Sequence, residues 1–383
     1  MKVLQLHCDY ATSPISGENT SVSLIHDALG DMPGVNARLI RWSTANLLKS
    51  RGMRVAAFLT YLKKDKSLIK AAKKFDIVII HNTIPFISSR TIWHLLQSRI
   101  VIFTWHNTRR LCISGVNYYR GRTCFACEEH TQLAGIFRRC YRNSFLQSLL
   151  VSLNQRALRK VLDHRNARHL VFSEDMRTRI VVNQLAPQGE IHLLEHFIDA
   201  EFSSPLPNAQ DFLAVGRLDL SKGFYDLVMV WNLIPAGKKL GAKLHIIGTG
   251  PEAVRIASIV TDNSVIMHGA MSQDDIRKIA AVCKVGVVPS IGPETFGRVV
   301  LEYMCYGLIP IVRPAGALTE LVGKVNANWV IDDMSNEKLI KKLIEILGAS
   351  NNETKRLHQY VRDNYGRSDY IRKFESLLER LVC

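Results

Sequence analysis

The chain has 383 residues, 47% of them hydrophobic, which is room for two domains with complete cores. No run of eighteen apolar residues occurs, so no membrane-spanning helix is expected. Residues 1–7 are too short and polar for a secretory leader and read as the first strand of a cytoplasmic protein. The formal net charge of +16 is concentrated in the first 200 residues, where 28 Lys and Arg stand against 14 Asp and Glu, while 22 stand against 20 in the remainder. A basic half calls for an anionic partner. No nucleic acid is expected, because no recognisable binding module or stacking platform of aromatics accompanies the cations.

Strands and helices alternate as in two doubly wound α/β sheets. In the first half the expected strands are residues 2–7, 37–41, 76–81, 100–104 and 169–173. Ser16-Gly17-Glu18-Asn19 follows the first strand as a turn, with Asn19 or Ser21 capping the next helix. Residues 51–66 carry Val55, Phe58, Leu59 and Leu62 at helical spacing among cations. Such a helix packs its stripe on its own domain or lies on an acidic membrane, and the charge of the whole half favours peripheral contact with an anionic membrane surface. His81 and Asn82 end the third strand and His106 follows the fourth, where side chains can reach a cleft. Residues 202–208, Phe-Ser-Ser-Pro-Leu-Pro-Asn, are a linker by composition. Beyond it lie expected strands 212–215, 243–247, 264–268, 285–289 and 309–313, each followed by a helical pattern. The expected domains are therefore 1–203 and 204–355, with a helical tail over 356–383.

The densest chemistry lies in Ser290-Ile-Gly-Pro-Glu294-Thr-Phe296-Gly297-Arg298-Val-Val-Leu-Glu302, after a buried strand. A tight loop leading into a helix N-terminus suits phosphate. Glu294 falls in the loop and Glu302 on the first turns of a helix starting near Phe296 or Gly297, so two carboxylates can accept hydrogen bonds from sugar hydroxyls. The amides of Phe296, Gly297 and Arg298 face a neighbouring phosphate. Arg217 and Lys222 follow another strand end, where a guanidinium and an ammonium can hold two phosphates and offset leaving-group charge. Asp219 lies between them to orient Arg217. No DxD-type carboxylate pair accompanies this loop, so catalysis without a metal is expected.

These residues resemble the donor site of the retaining GT-B glycosyltransferases of family 4. The E-x7-E spacing from Glu294 to Glu302 is similar to theirs, as are Gly216-Arg217 followed after four residues by Lys222-Gly223, and the turn Gly248-Thr-Gly250-Pro251. The resemblance implies two Rossmann-like domains facing a central cleft, with the tail crossing back to the first. It implies a hexosyltransferase taking a UDP- or GDP-sugar and passing the sugar, on the same face, to a glycan or polyprenyl diphosphate-linked acceptor in surface polysaccharide or lipopolysaccharide synthesis, on the inner face of the membrane. Under it Glu294 binds the transferred sugar, Arg217 and Lys222 the diphosphate, Glu302 the ribose, and Gly216, Gly248 and Gly250 line the donor pocket. His106 contacts the sugar, and Gly17 resembles the family's glycine loop, although it stands without the usual second glycine. Two other readings stay open. One is a GT-B-like sugar-nucleotide epimerase, for which no acid/base pair is evident, and the other a non-catalytic nucleotide-sugar-binding partner.

Four of the eight cysteines, Cys112, Cys124, Cys127 and Cys140, fall within an insert of about residues 108–145 with zinc-ligand spacing. They are read as a structural zinc site, as reduced thiols packed in a loop, or as disulfides, which a cytoplasmic setting disfavours. The runs around Cys112 and Cys140 resemble the acceptor-domain insert of some family 4 members. Cys8, Cys283, Cys305 and Cys383 show no ligand spacing.

Overall fold

The computed structural model describes residues 1–9, 17–44, 64–82, 87–129, 132–331, 338, 341–345 and 353–382. Ser16, Cys383 and residues 51–63 of the basic amphipathic stretch lie outside the described residues. The chain divides into two units, one built from Met1–Gly115, Phe125–His196 and Arg367–Cys383, the other from Val116–Cys124 and Phe197–Gly366.

The first unit holds six parallel strands, β1 (Lys2–Asp9), β2 (Asn36–Ser43), β3 (Ile77–Ile80), β4 (Ile100–Thr104), β7 (Ala167–Val171) and β8 (Ile191–Leu193), in the order β2-β1-β3-β4-β7-β8. Every position of β3 is buried, as expected of a parallel strand covered on both faces. Its helices are α1 (Gly17–Gly30), α2 (Lys66–Ala72), α3 (Ser89–Leu96), α4 (Ala126–Glu129), α5 (Leu133–Phe137), α6 (Phe145–Leu162) and α7 (Glu174–Val182). Winding reverses between β1 and β3, so the loops leaving those two strands flank the crevice where such sheets bind ligands. Asn19 and Ser21 prove to lie inside α1, which already begins at Gly17, so neither caps it.

The second unit carries a two-stranded hairpin, β5 (Tyr118–Tyr119) with β6 (Arg122–Thr123), and a parallel sheet in the order β11-β10-β9-β12-β13. Its strands are β9 (Asp211–Val215), β10 (Leu244–Ile247), β11 (Val265–Gly269), β12 (Cys283–Val288) and β13 (Ile309–Val312). Around them lie α8 (Phe224–Leu233), α9 (Ala236–Lys239), α10 (Ala253–Ala257), α11 (Gln273–Ala280), α12 (Arg298–Cys305), α13 (Ala317–Gly323) and α14 (Glu353–Asn364). Here the reversal falls between β9 and β12, which marks the loops after Val215 and Val288 as the ligand-binding edge.

All ten expected strands form, each within two residues of its expected ends. β8 has only three residues, too few to show a period. The stretch 202–208 is not a free linker: it lies within the second unit, with Ser203 N donating to Cys305 O at 3.0 Å and Leu206 N to Ala281 O at 2.8 Å. The tail is two helices that part at Gly366. α14 stays with the second unit, whereas α15 (Arg367–Val382) belongs to the first. α15 buries Tyr370, Phe374, Leu377 and Leu378, one stripe at helical spacing, and its Arg367 guanidinium donates to Asp31 Oδ2 at 2.6 and 3.0 Å.

Candidate active site

The second unit's edge is built from loops that brace one another. Gly216 N donates to Ile247 O at 3.0 Å and Leu218 N to Thr249 O at 2.9 Å, so the segment after β9 runs back to back with the one after β10. Only glycine permits this approach, because a Cβ at Gly248, whose φ is +141°, would stand 1.8 Å from Gly216 O. The glycines of both expected turns therefore close a backbone contact. Ser221 O accepts from Ile291 N at 2.8 Å and Gly292 N at 3.0 Å, tying the β12 loop to the β9 loop. Glu294 N donates to Ala315 O at 3.1 Å and its carbonyl accepts from Ala317 N at 2.9 Å, which fixes Glu294 against the loop after β13.

Side chains on this frame form two ion pairs. Arg217 Nη2 stands 2.5 Å from Asp219 Oδ2, and Asp219 Oδ1 accepts from Ser221 N and Oγ at 2.9 and 2.6 Å. One carboxylate thus orients the guanidinium and caps the turn that delivers Lys222. Lys222 Nζ meets Glu294 Oε1 at 2.5 Å, and Ser290 Oγ donates to the same oxygen at 2.6 Å. This pairing spans 72 residues of sequence, and motif spacing alone does not reveal it. The Arg217 side chain remains 49% exposed, open to an anion.

α12 begins after Gly297, whose φ of +92° lies in the left-handed region and which supplies no side-chain cap, so the helix end presents backbone to the edge. Phe296 is buried, its ring edge-on to Tyr365 at 6.2 Å. Arg298 Nη1 donates to Phe197 O at 3.1 Å, and its Nη2 stands 3.9 Å from Glu302 Oε1. Burial raises the Glu302 carboxyl above the usual range against the pull of Arg298. Tyr303, which sequence reasoning did not select, accepts at its hydroxyl from Val215 N at 2.8 Å and fixes the strand end ahead of Gly216. Gly250 lies in the β10 loop, where a Cβ would meet Leu218 O at 2.2 Å.

The first unit gathers a second cluster at its own winding reversal. Glu18, just after Gly17, is enclosed: Asn82 Nδ2 donates to its Oε1 and Asn107 Nδ2 to its Oε2, both at 2.8 Å. Asn82 also pairs both ways with the Cys8 backbone, at 2.7 and 3.0 Å. His106 Nε2 lies 3.0 Å from His81 Nδ1, whose other nitrogen is 3.0 Å from Gln5 Oε1. The His106 ring stacks on Phe172 at 4.8 Å and His196 at 5.8 Å. Burial drives His106 down to about 4 despite the nearby Glu18 charge, and also holds His81 well below its ordinary value. For Glu18, burial raises the carboxyl but the charges of His106, Arg109 and His7 outweigh it, so the net direction is down. Glu18 was legible only as an acid opening a helix; its partners follow two separate strands.

These directions share one sign. A group whose folded value is depressed supports folding above its unfolded value and loses that support as pH falls through the folded one. The first unit is therefore expected to lose stability steadily from about pH 6.5 to about pH 4, with His106 among the groups responsible. Denaturant midpoints across that window check this, and a flat profile would overturn it.

Cys127 lies beside Cys112, which with burial raises its thiol far above the ordinary value, and Cys140 adds to the effect. Cys127 packs in a small apolar cluster with Ile113 and Ile136, against which Cys140 rests. Cys124 falls in the second unit, where its N donates to Asn117 O at 2.7 Å. The seven described cysteines are free thiols. Among the described residues no group of three or more His, Cys, Asp or Glu side chains is set to hold a metal ion, and no helix is long and apolar enough to cross a membrane.

Residues 198–364 match the family model Glycosyl transferases group 1. Of curated proteins, the sulfoquinovosyl transferase SQD2 of Arabidopsis thaliana is 30% identical over 108 residues, 28% of this chain and 20% of that protein's length. Among solved structures, Anabaena HepE in complex with UDP and glucose aligns over 99% of this chain and 100% of its own at 13% identity, TM-score 0.68. The lipopolysaccharide outer core galactosyltransferase WaaB aligns over 99% of each chain at 14% identity, TM-score 0.65. At such identities the structural likeness establishes the fold, which is GT-B.

Proposed function

We propose, from the group 1 glycosyltransferase domain that residues 198–364 form, that this transferase moves a hexose from a UDP- or GDP-sugar to a glycan or polyprenyl diphosphate-linked acceptor with retention of anomeric configuration. The observation that carries the reading is the Lys222–Glu294 pair, held with Arg217 and Asp219 at the winding reversal of the second unit. Lys222 and Arg217 neutralise the diphosphate, Glu294 accepts hydrogen bonds from the transferred sugar, and Glu302 accepts them from the ribose. Gly297 and the residues beside it offer backbone amides. In the transfer step the bond from the anomeric carbon to the phosphate oxygen breaks, the acceptor oxygen bonds to that carbon on the same face, and the acceptor proton passes to the departing phosphate.

The UDP and glucose bound by HepE support a UDP-linked hexose. WaaB's role as a lipopolysaccharide outer core galactosyltransferase supports a surface-glycan product, and the basic first half of the chain supports a protein peripheral to the inner face of a membrane. The His106 cluster of the first unit is assigned to sugar and acceptor. Arg217 and Lys222 supply the charge compensation, so turnover is expected without added metal.

Calorimetric titration with a panel of UDP- and GDP-sugars, without metal, tests the donor site. One donor should bind, Glu302→Ala should abolish that binding, and free nucleotide should be released only when acceptor is present. Binding to no donor would sink the reading, and turnover of the donor without acceptor would favour an epimerase. From spacing alone we also propose one structural zinc on Cys112, Cys124, Cys127 and Cys140, around which these thiols would have to close, because no three of them are grouped for a metal among the described residues. Elemental analysis of purified protein should then find about one zinc per chain, and metal-free, fully folded protein would rule it out.

A further inference from the structure

Helix α6 buries Leu158, Val161 and Leu162 in the core of the first unit along its C-terminal half, whereas its N-terminal half turns inward the polar side chains of Ser148, Ser152 and Gln155. They are satisfied by a polar ladder: Ser152 Oγ donates to Gln132 Oε1 at 2.8 Å, Gln132 Nε2 to Gln155 Oε1 at 2.5 Å, and Gln155 Nε2 to Cys112 O at 3.2 Å. Tyr141 N donates to Ser148 Oγ at 3.0 Å. The outer face shows Leu146 and Leu153 to solvent at 63% and 52% exposure, and Phe145 at 46%. Phe137 of α5 is 70% exposed, and its ring lies 6.0 Å from that of Phe145, so the two helices share one apolar patch. Exposed apolar side chains of this size, clustered beyond what the core of the unit uses, mark an interaction site.

Charge selects the occupant. Residues 132–162 contain Arg138, Arg139, Arg142, Arg156, Arg159 and Lys160 and not one Asp or Glu. Arg138, Arg139 and Arg142 are exposed in the link between Phe137 and Phe145. A second copy of the chain on this patch would meet the same cations. An anionic lipid surface satisfies both features: the rings and leucines enter the boundary between headgroup and acyl chain, and each arginine near the headgroups adds electrostatic attraction.

We infer that the face formed by α5, its arginine link and the outer side of α6 docks on an anionic bilayer. The inference rests on the peripheral-membrane part of the proposed function and not on its donor or acceptor chemistry, so its failure leaves the transfer reading intact. The test is flotation of the full chain with vesicles of phosphatidylcholine alone or with about one quarter phosphatidylglycerol. The chain is expected to float with the anionic vesicles only. The triple variant Phe137→Ser, Phe145→Ser, Leu146→Ser, whose sites are already exposed, should lower partitioning about tenfold, as should replacing Arg138, Arg139 and Arg142 by Gln. A denaturation midpoint equal to the parent's in both variants serves as the control for folding. Three results would overturn the inference: no flotation, equal flotation with neutral vesicles, or salt-reversible flotation that the apolar triple variant leaves unchanged.

Discussion

Glu294→Gln is expected to lower the rate of sugar transfer by about 10²–10³-fold, the usual cost of removing one preorganised polar contact from a transition state. The amide keeps the size of the side chain and can still accept from Ser290 Oγ, which lies 2.6 Å from Glu294 Oε1. It removes the charge facing Lys222, so the ammonium loses its fixed counter-ion while hydroxyls of the bound sugar lose their strongest acceptor. Folding should barely respond. The Lys222 and Glu294 side chains retain 32% and 21% exposure, and a pair so open to solvent contributes about 0–1 kcal/mol to stability. Initial rates beside a denaturation curve separate the two effects, and unchanged turnover would remove Glu294 from the site.

Gly248→Ala should act through stability instead. The added methyl would stand 1.8 Å from Gly216 O with φ at +141°. Holding a residue with a side chain in such a backbone region costs about 1–3 kcal/mol, and the overlap about 1–3 kcal/mol more. The loops after β9 and β10 must part to relieve it, which displaces Arg217 as well. Gly237→Ala is the matched control, because a Cβ there meets nothing within 4 Å. In a helix that change is expected to be neutral or to stabilise by up to about 1 kcal/mol. A Gly248→Ala protein with the midpoint and donor affinity of the parent would show that the back-to-back contact does not matter.

The parts of the fold that could be read in the sequence are those encoded over short distances. Runs such as Ile77–Ile80 announce buried parallel strands whatever they pack against, and the glycines at 216, 248 and 250 mark turns by their own conformational range. The pairing of Lys222 with Glu294 could not be read, since it depends on which loops the sheet order brings together. Glu18 was hidden for the same reason, its amides coming from Asn82 and Asn107 after two different strands. Composition misled at residues 202–208, where Ser and Pro suggested a tether but Ser203 and Leu206 make backbone bonds inside the second unit. In α6 the buried Ser148, Ser152 and Gln155 could not be told from solvent-facing residues, because the Gln132 and Cys112 groups that satisfy Ser152 and Gln155 lie far off in sequence.

The passage of α15 into the first unit has a consequence for biogenesis. Ribosomes release chain from the N-terminus onward, and domains generally fold as they emerge. Here the six strands of the first sheet are made early, yet residues 367–382, which bury Phe374 and Leu378 and bind Asp31 of the first unit, follow every residue of the second. The earlier-made unit is therefore completed last, and a nascent chain halted before Arg367 carries an uncovered apolar surface on its oldest part, open to chaperones.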